Sequence, residues 1–170
     1  MTAPSVAGPR IIVMGPSASG KTTIARALAQ ALQARFLEGD ELHPAANVEK
    51  MRSGIALDDA DRAPWLDAVG RALCSDSPQA VVATCSALKR RYRDRLRAIA
   101  DPLVFIHPLA SRDVLSQRLA MRTGHYMPAS LLDSQLADLE PLATDESGFV
   151  VDGAARVALQ VERIRSCLGL

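Results

Sequence analysis

Eight consecutive residues, Gly15-Pro16-Ser17-Ala18-Ser19-Gly20-Lys21-Thr22, have the types and spacing of a phosphate-binding loop, G-x-x-x-x-G-K-[ST]. Small side chains let the backbone curl so that successive N–H groups face anionic oxygens. A helix opening near Gly20 adds the positive end of its dipole. In such a loop Lys21 bridges the β- and γ-phosphates of a nucleoside triphosphate and Thr22 offers a hydroxyl to Mg²⁺, with Thr23 continuing the turn. A Gly/Ser turn can match this pattern by chance. The context argues against that: an apolar strand-like run, Arg10–Met14, precedes the loop, and an Ala/Leu-rich helical pattern, Lys21–Ala34, follows it.

A nucleotide loop needs carboxylates nearby, and these come from an unusual place. The run Ala80–Cys85 (AVVATC) ends without the aspartate that commonly closes the neighbouring strand of a nucleotide site. Glu38-Gly39-Asp40, after the short run Phe36–Leu37, is the remaining source. At the carboxyl end of a strand beside the loop, Asp40 could take a proton from an attacking hydroxyl, and Glu38 and Asp40 could hold Mg²⁺. Both could instead cap the helix starting at Pro44. Guanine recognition by an N-K-x-D motif is absent, because Asn47 is the only asparagine and Val48 follows it.

The elements that must position these groups alternate along the chain. Helical patterns are expected over Pro44–Ser53, Asp61–Cys74, Leu88–Ala100, Arg112–Arg122, Ala129–Leu139 and Ala155–Leu168. Strands are expected at Leu103–Ile106 and Phe149–Val151, besides the three named above. Alternation of this kind requires crossover connections and a parallel sheet covered on both faces. The prediction is a three-layer α/β domain of about five strands over residues 10–170, preceded by a frayed tail at 1–9.

Composition narrows the function classes. The chain has 170 residues, 48% hydrophobic and 23% charged, which suits one folded core and excludes a mainly disordered chain. A net charge of +1 provides no bulk field for nucleic acid or acidic lipid. No apolar run approaches the ~18 residues of a membrane span. Cys74, Cys85 and Cys167 form neither a disulfide framework nor a zinc pattern, consistent with a cytoplasmic location. The segment Lys89–Arg97 (KRRYRDRLR) resembles a nucleic-acid patch in isolation. Its charges fall on nearly every helical face with Asp94 among them, so a solvated helix end near an anionic substrate is the favoured reading.

Four further blocks carry a family resemblance. Gly39-Asp40-Glu41-Leu42-His43-Pro44 with Asn47, Lys50 and Met51 closely resembles the signature of gluconokinases. So do Asp61-Arg62-x-Pro64-Trp65-Leu66, Cys85-Ser86-Ala87-Leu88-Lys89 with Tyr92-Arg93-Asp94, and Gly124-His125-Tyr126-Met127. The resemblance runs from about residue 11 to 152 with the blocks in the family's order. It implies a P-loop kinase fold with sheet order 2-3-1-4-5, a mobile lid at about 118–128, and commonly a homodimer. The implied reaction is ATP plus D-gluconate giving ADP and 6-phosphogluconate. Glu38 departs from the pattern, standing where many relatives have Asp.

The resemblance also implies roles. Arg62 would clamp the gluconate carboxylate with two parallel hydrogen bonds; a surface ion pair with Asp58, Asp59 or Asp61 is the other reading. His43 would bind a substrate hydroxyl or pack in the turn before Pro44. Lys89, His125 and Gln135 are further substrate contacts. Arg118 and Arg122, four apart on one helix face, would sit on the lid and neutralise charge on the transferred phosphoryl group, or else lie in solvent. His107 is expected to pack or face solvent. Another small polyol, a shikimate-like acid, or a plain P-loop ATPase remain the alternative functions.

Overall fold

The computed structural model describes residues 8–74, 79–122 and 130–170. Five strands, β1 (Arg10–Val13), β2 (Arg35–Leu37), β3 (Val81–Thr84), β4 (Leu103–Leu109) and β5 (Gly148–Asp152), form one parallel sheet in the order β2-β3-β1-β4-β5. The expected order 2-3-1-4-5 is therefore observed. Helices α1 (Lys21–Leu32), α2 (Ala45–Arg52), α3 (Asp59–Leu73), α4 (Arg90–Ala100), α5 (Arg112–Ala120), α6 (Ser130–Asp138) and α7 (Val157–Leu168) supply the crossovers and the layers.

Alternation along the buried strands divides the core in two. Ile12, Met14, Ala83 and Phe105 point to a cluster with Trp65, Leu66, Val69 and Leu96 of α3 and α4. Ile11, Val13, Val82 and Ile106 point the other way, to Ile24, Ala25 and Leu28 of α1 and Ile164 of α7. Strand β4 runs three residues beyond its expected end, through His107-Pro108-Leu109. Pro108 is tolerated because it falls past the end of β1, where no ladder partner remains on that side, while β5 still pairs with it.

The basic segment is only in part a solvated helix face: Arg91, Asp94 and Arg95 are exposed, but Arg93 is not. Arg93 of α4 is fully buried and grips Glu146 through two bonds of 2.7 Å, while its remaining N–H groups donate to the carbonyls of Ala87, Leu88, Glu140 and Pro141. Arg90 pairs with Asp94 and Asp145, Arg91 with Asp59, Arg95 with Asp67, and Arg97 with Asp94 and Glu146. Every arginine of this helix thus has a carboxylate partner, so much of the segment's positive charge is met within the protein. The Arg93 network fastens the loop after β3 to the segment before β5, so it braces the floor of the site. Arg93→Ala should cost about 3–5 kcal/mol, because it leaves Glu146 charged, buried and short of its main partner. Thermal or denaturant unfolding checks this.

Candidate active site

The strands deliver the expected residues to one edge of the sheet. Strand β1 has β3 on one side and β4 on the other, and at its carboxyl end the chain turns into the loop at Gly15. The loop is tied to its neighbours by Met14 N–H to Ile106 O (2.8 Å) and Gly15 N–H to Ser86 O (3.1 Å). Gly15 has φ +130° and Gly20 φ +91°, and a Cβ on Gly15 would press on Ser19 and His107. Ile24 N–H to Gly20 O is the first bond of α1. The N–H groups of Lys21, Thr22 and Thr23 therefore precede any intrahelical partner, as an anion site at a helix start requires. Not every loop amide faces a ligand: Ser17 N–H donates to Oε1 of Gln135 at 2.7 Å, and Ser19 N–H to Pro16 O at 3.3 Å.

Strand β2 ends at Leu37, and Glu38 caps the single 3₁₀ turn over Gly39–Leu42 that follows. Thr84, at the end of β3, stands where a strand-terminal carboxylate would otherwise be. It donates its hydroxyl to Glu38, which also accepts from Thr22 Oγ1 at 2.8 Å. Gly39 lies so close to β3 that a Cβ would strike the Thr84 carbonyl oxygen, and its N–H donates to Thr84 Oγ1 at 3.0 Å. Close backbone approach thus explains the Glu-Gly-Asp spacing. Neither Glu38 nor Asp40 caps α2, whose N-cap is Pro44 without a side-chain bond. Thr84 was not foreseen; a hydroxyl closing an otherwise apolar strand beside the loop was its only signal.

One cavity gathers Ser17, Ala18, Gly20, Lys21, Thr22, Asp40, His43, Met51, Leu57, Arg62, Ser86, Arg122 and Gln135. Lys21 donates to Pro16 O at 2.9 Å; burial and Arg122 push its pKa below the ordinary lysine value, against the pull of Asp40 and Glu38. The Asp40 carboxylate accepts no hydrogen bond among the described residues. His43 stacks on Trp65 at 4.0 Å, and Trp65 in turn donates to Gly39 O at 2.8 Å. Burial and the nearby Arg62 lower the His43 pKa to about 4, so the ring is neutral at physiological pH.

Arg62 is 6% exposed, and its guanidinium pairs with none of Asp58, Asp59 and Asp61; only its backbone N–H reaches one of them, donating to Asp58 O in the first turn of α3. Asp61 is held by Lys50 and forms a capping box with Asp58, while Asp59 bonds Tyr92, Lys89 and Arg91. What touches the Arg62 guanidinium is the Leu57 carbonyl at 3.4 Å and the face of Tyr92 at 5.6 Å. Among the described residues, then, the buried guanidinium borders the cavity without an ion pair to any carboxylate, Asp40 of the same cavity included.

Other expected contacts are placed differently. Lys89 lies outside the cavity wall, because Asp138 at 3.1 Å and Asp59 at 3.6 Å hold its ammonium over Tyr92. Gln135 lines the cavity, but its carbonyl oxygen is committed to bracing Ser17. Helix α5 ends at Ala120, so Arg118 and Arg122 do not share its face. Arg118 donates to Gly153 O at 2.8 Å in a second cleft, lined also by Ala18, Gly20, Thr23, Met121 and Gln160. Arg122 borders both clefts, and it alone of the pair reaches the cavity of Lys21 and Asp40. His107 is 3% exposed beneath the loop and packs rather than facing solvent; burial, Arg93 and Lys21 bring its pKa to about 4. His125, and residues 123–128 of the lid expected at about 118–128, lie outside the described residues.

A parallel sheet of this order, with a phosphate loop at the carboxyl end of its central strand, defines a P-loop kinase fold. An AAA domain model matches residues 11–142. A gluconokinase of Gluconobacter oxydans (strain 621H) is 48% identical over 91% of this chain and 88% of its own length. The crystal structure of a gluconokinase from Sinorhizobium meliloti 1021 superposes with a TM-score of 0.86 at 45% identity, covering 96% of this chain and 93% of that one. An unliganded sugar kinase from Janibacter sp. HTCC2649 gives 0.90 at 42% identity, covering 95% of both. The chain belongs to the gluconokinase family.

Proposed function

We propose that the protein phosphorylates D-gluconate at its C6 hydroxyl with ATP, giving 6-phosphogluconate and ADP. The observation that carries the substrate is Arg62. A buried cation is costly unless paired, and the Arg62 guanidinium, which has no ion pair among the described residues, borders the cavity from which an anionic ligand could pair with it. The carboxylate of a sugar acid is such a group.

The remaining residues divide the chemistry. The loop Gly15–Thr23 cradles the triphosphate of ATP, and Lys21 neutralises charge on the transferring group. Asp40, at the end of β2 and unengaged among the described residues, receives the proton of the attacking hydroxyl. Arg122 spans the nucleotide cleft and the cavity, placed to stabilise charge between them, while Arg118 on the Gly153 side serves the nucleotide. Gln135 holds the loop in shape, and His125 is assigned to substrate by the motif that contains it. Thr22, Glu38 and Asp40 form a hard, all-oxygen donor set that fits Mg²⁺, an ion held by one or two carboxylates together with phosphates. When bound, Mg²⁺ would neutralise phosphate charge there. The homodimer implied by the resemblance and the cytoplasmic location suggested by the cysteine pattern belong to the same proposal.

Gluconate is a linear acid whose carboxylate lies at the end opposite C6. If Asp40 meets the C6 hydroxyl, a separate cation must hold the carboxylate. Arg62→Lys replaces a planar fork by a point charge and loses one directed, charge-assisted bond, about 1.5–3 kcal/mol. The KM for gluconate should rise by roughly ten- to a hundred-fold, with the ATP KM nearly unchanged. Glucitol, which lacks the carboxylate, should be a poor substrate indifferent to the change. Equal damage to glucitol turnover, or a raised ATP KM, would place Arg62 with the phosphate-binding residues.

A further inference from the structure

A neutral imidazole donates at one ring nitrogen and accepts at the other, so the bond made by one nitrogen dictates the chemistry of the second. Around His43 that choice is made by Asn47, a buried residue of α2. The Asn47 side-chain nitrogen lies 2.8 Å from the Asp61 carbonyl oxygen and 3.3 Å from Nδ1 of His43. A carbonyl oxygen only accepts, so the Asn47 atom facing it is the amide NH₂; the flipped amide would set two acceptors against each other. One hydrogen of that NH₂ goes to Asp61 and the second points at His43. Nδ1 must then present its lone pair, which leaves the ring proton on Nε2.

Stacking fixes the plane of the ring, and a flip within that plane would put Cδ2 in place of Nδ1 and forfeit the Asn47 bond. The ring lies 4.0 Å from Trp65 at an interplanar angle of 13°, and Trp65 is itself pinned to Gly39. Nε2 has no hydrogen-bond partner among the described residues, and His43 shares the cavity wall with Asp40 and Arg62. We propose that His43 is a fixed hydrogen-bond donor whose Nε2–H recognises a hydroxyl oxygen of the sugar-acid chain, with Asn47 as the positioning residue that sets the tautomer. The identity of that chain rests on the function proposed above; the tautomer does not. The site then holds two unlike polar groups: Asp40, which takes a proton, and His43, which gives the substrate a hydrogen bond and takes no proton. Selection for an oxygen at one substrate position follows, because an analogue lacking it leaves the half-buried Nε2–H unpaired.

The test combines a spectrum with kinetics. ¹⁵N NMR of the labelled protein at pH 7, with His43 identified among the three histidines by the signal lost in His43→Gln, should show a protonated Nε2 and a bare Nδ1. Asn47→Leu should abolish that preference. His43→Leu should raise the gluconate KM about ten-fold, the scale of one lost hydrogen bond, and leave the ATP KM unchanged. His43→Gln, which keeps an N–H donor, should recover most of the loss. Among gluconate analogues deoxygenated one position at a time, one should be handled equally by wild type and His43→Leu. A proton on Nδ1, an imidazolium at pH 7, or equal damage from Gln and Leu would overturn the proposal. The spectrum needs no substrate, so an enzyme that ignored gluconate would sink the substrate assignment while the tautomer stood or fell on its own signals.

Discussion

Lys21→Ala should lower turnover by roughly 10²–10⁴-fold in a protein that stays folded. In the structure the Lys21 ammonium makes one hydrogen bond, to the carbonyl of Pro16 in its own loop. Its removal therefore costs little packing, and the loop remains tied through Met14, Gly15 and Ser17 to three other segments. What is lost is a positive charge beside Asp40 at the point where phosphate charge must be met. A group that acts mainly on the transition state lowers kcat and kcat/KM together. Steady-state kinetics with a thermal melt of the same sample separates the cases: normal turnover, or a collapsed melting temperature, would each refute the role.

Asp40→Asn carries the second large effect, about 10²–10⁴-fold in kcat with ATP binding weakened far less. The amide preserves the shape of the 3₁₀ turn but cannot take the hydroxyl proton. Asp40 has no hydrogen-bond partner among the described residues to hold it in a purely structural role, in contrast to Glu38, which Thr22 and Thr84 grip from both sides. ATP binding measured by titration, beside kcat from product formation, checks the division. A loss of ATP affinity with kcat intact would make Asp40 a binding or metal residue only.

The parallel α/β class and the phosphate loop were legible because local signals and global arrangement agree there, whereas the sheet order followed only from the family resemblance. A buried strand, small residues that permit positive φ, and a helix start are all written within fifteen residues. Glu38 and Asp40 were legible by elimination, since no other acid follows a strand near the loop. The partners were not. That Thr84 clamps Glu38 depends on β2 and β3 being neighbours in register, a pairing across more than forty residues of sequence. The arginines of α4 misled for a related reason. Their carboxylates, Asp59, Asp67, Asp145 and Glu146, come from distant segments, so the helix alone reads as a charged surface. Lys89 shared that fate, held by Asp59 and Asp138 away from the cavity. Arg118 and Arg122 were paired on the assumption that one helix carries both; α5 stops at Ala120, and the two side chains part.

ADP release measured with a panel of acceptors tests the central claim most directly. D-gluconate, shikimate, nucleoside monophosphates and a sample without acceptor would each be assayed with ATP and a divalent metal. A gluconate kinase should release ADP with gluconate and Mg²⁺, with little release when either is omitted. Should shikimate or a nucleoside monophosphate exceed gluconate tenfold in kcat/KM, or should ADP appear equally fast with no acceptor, the assignment of this cavity to a sugar acid would be contradicted.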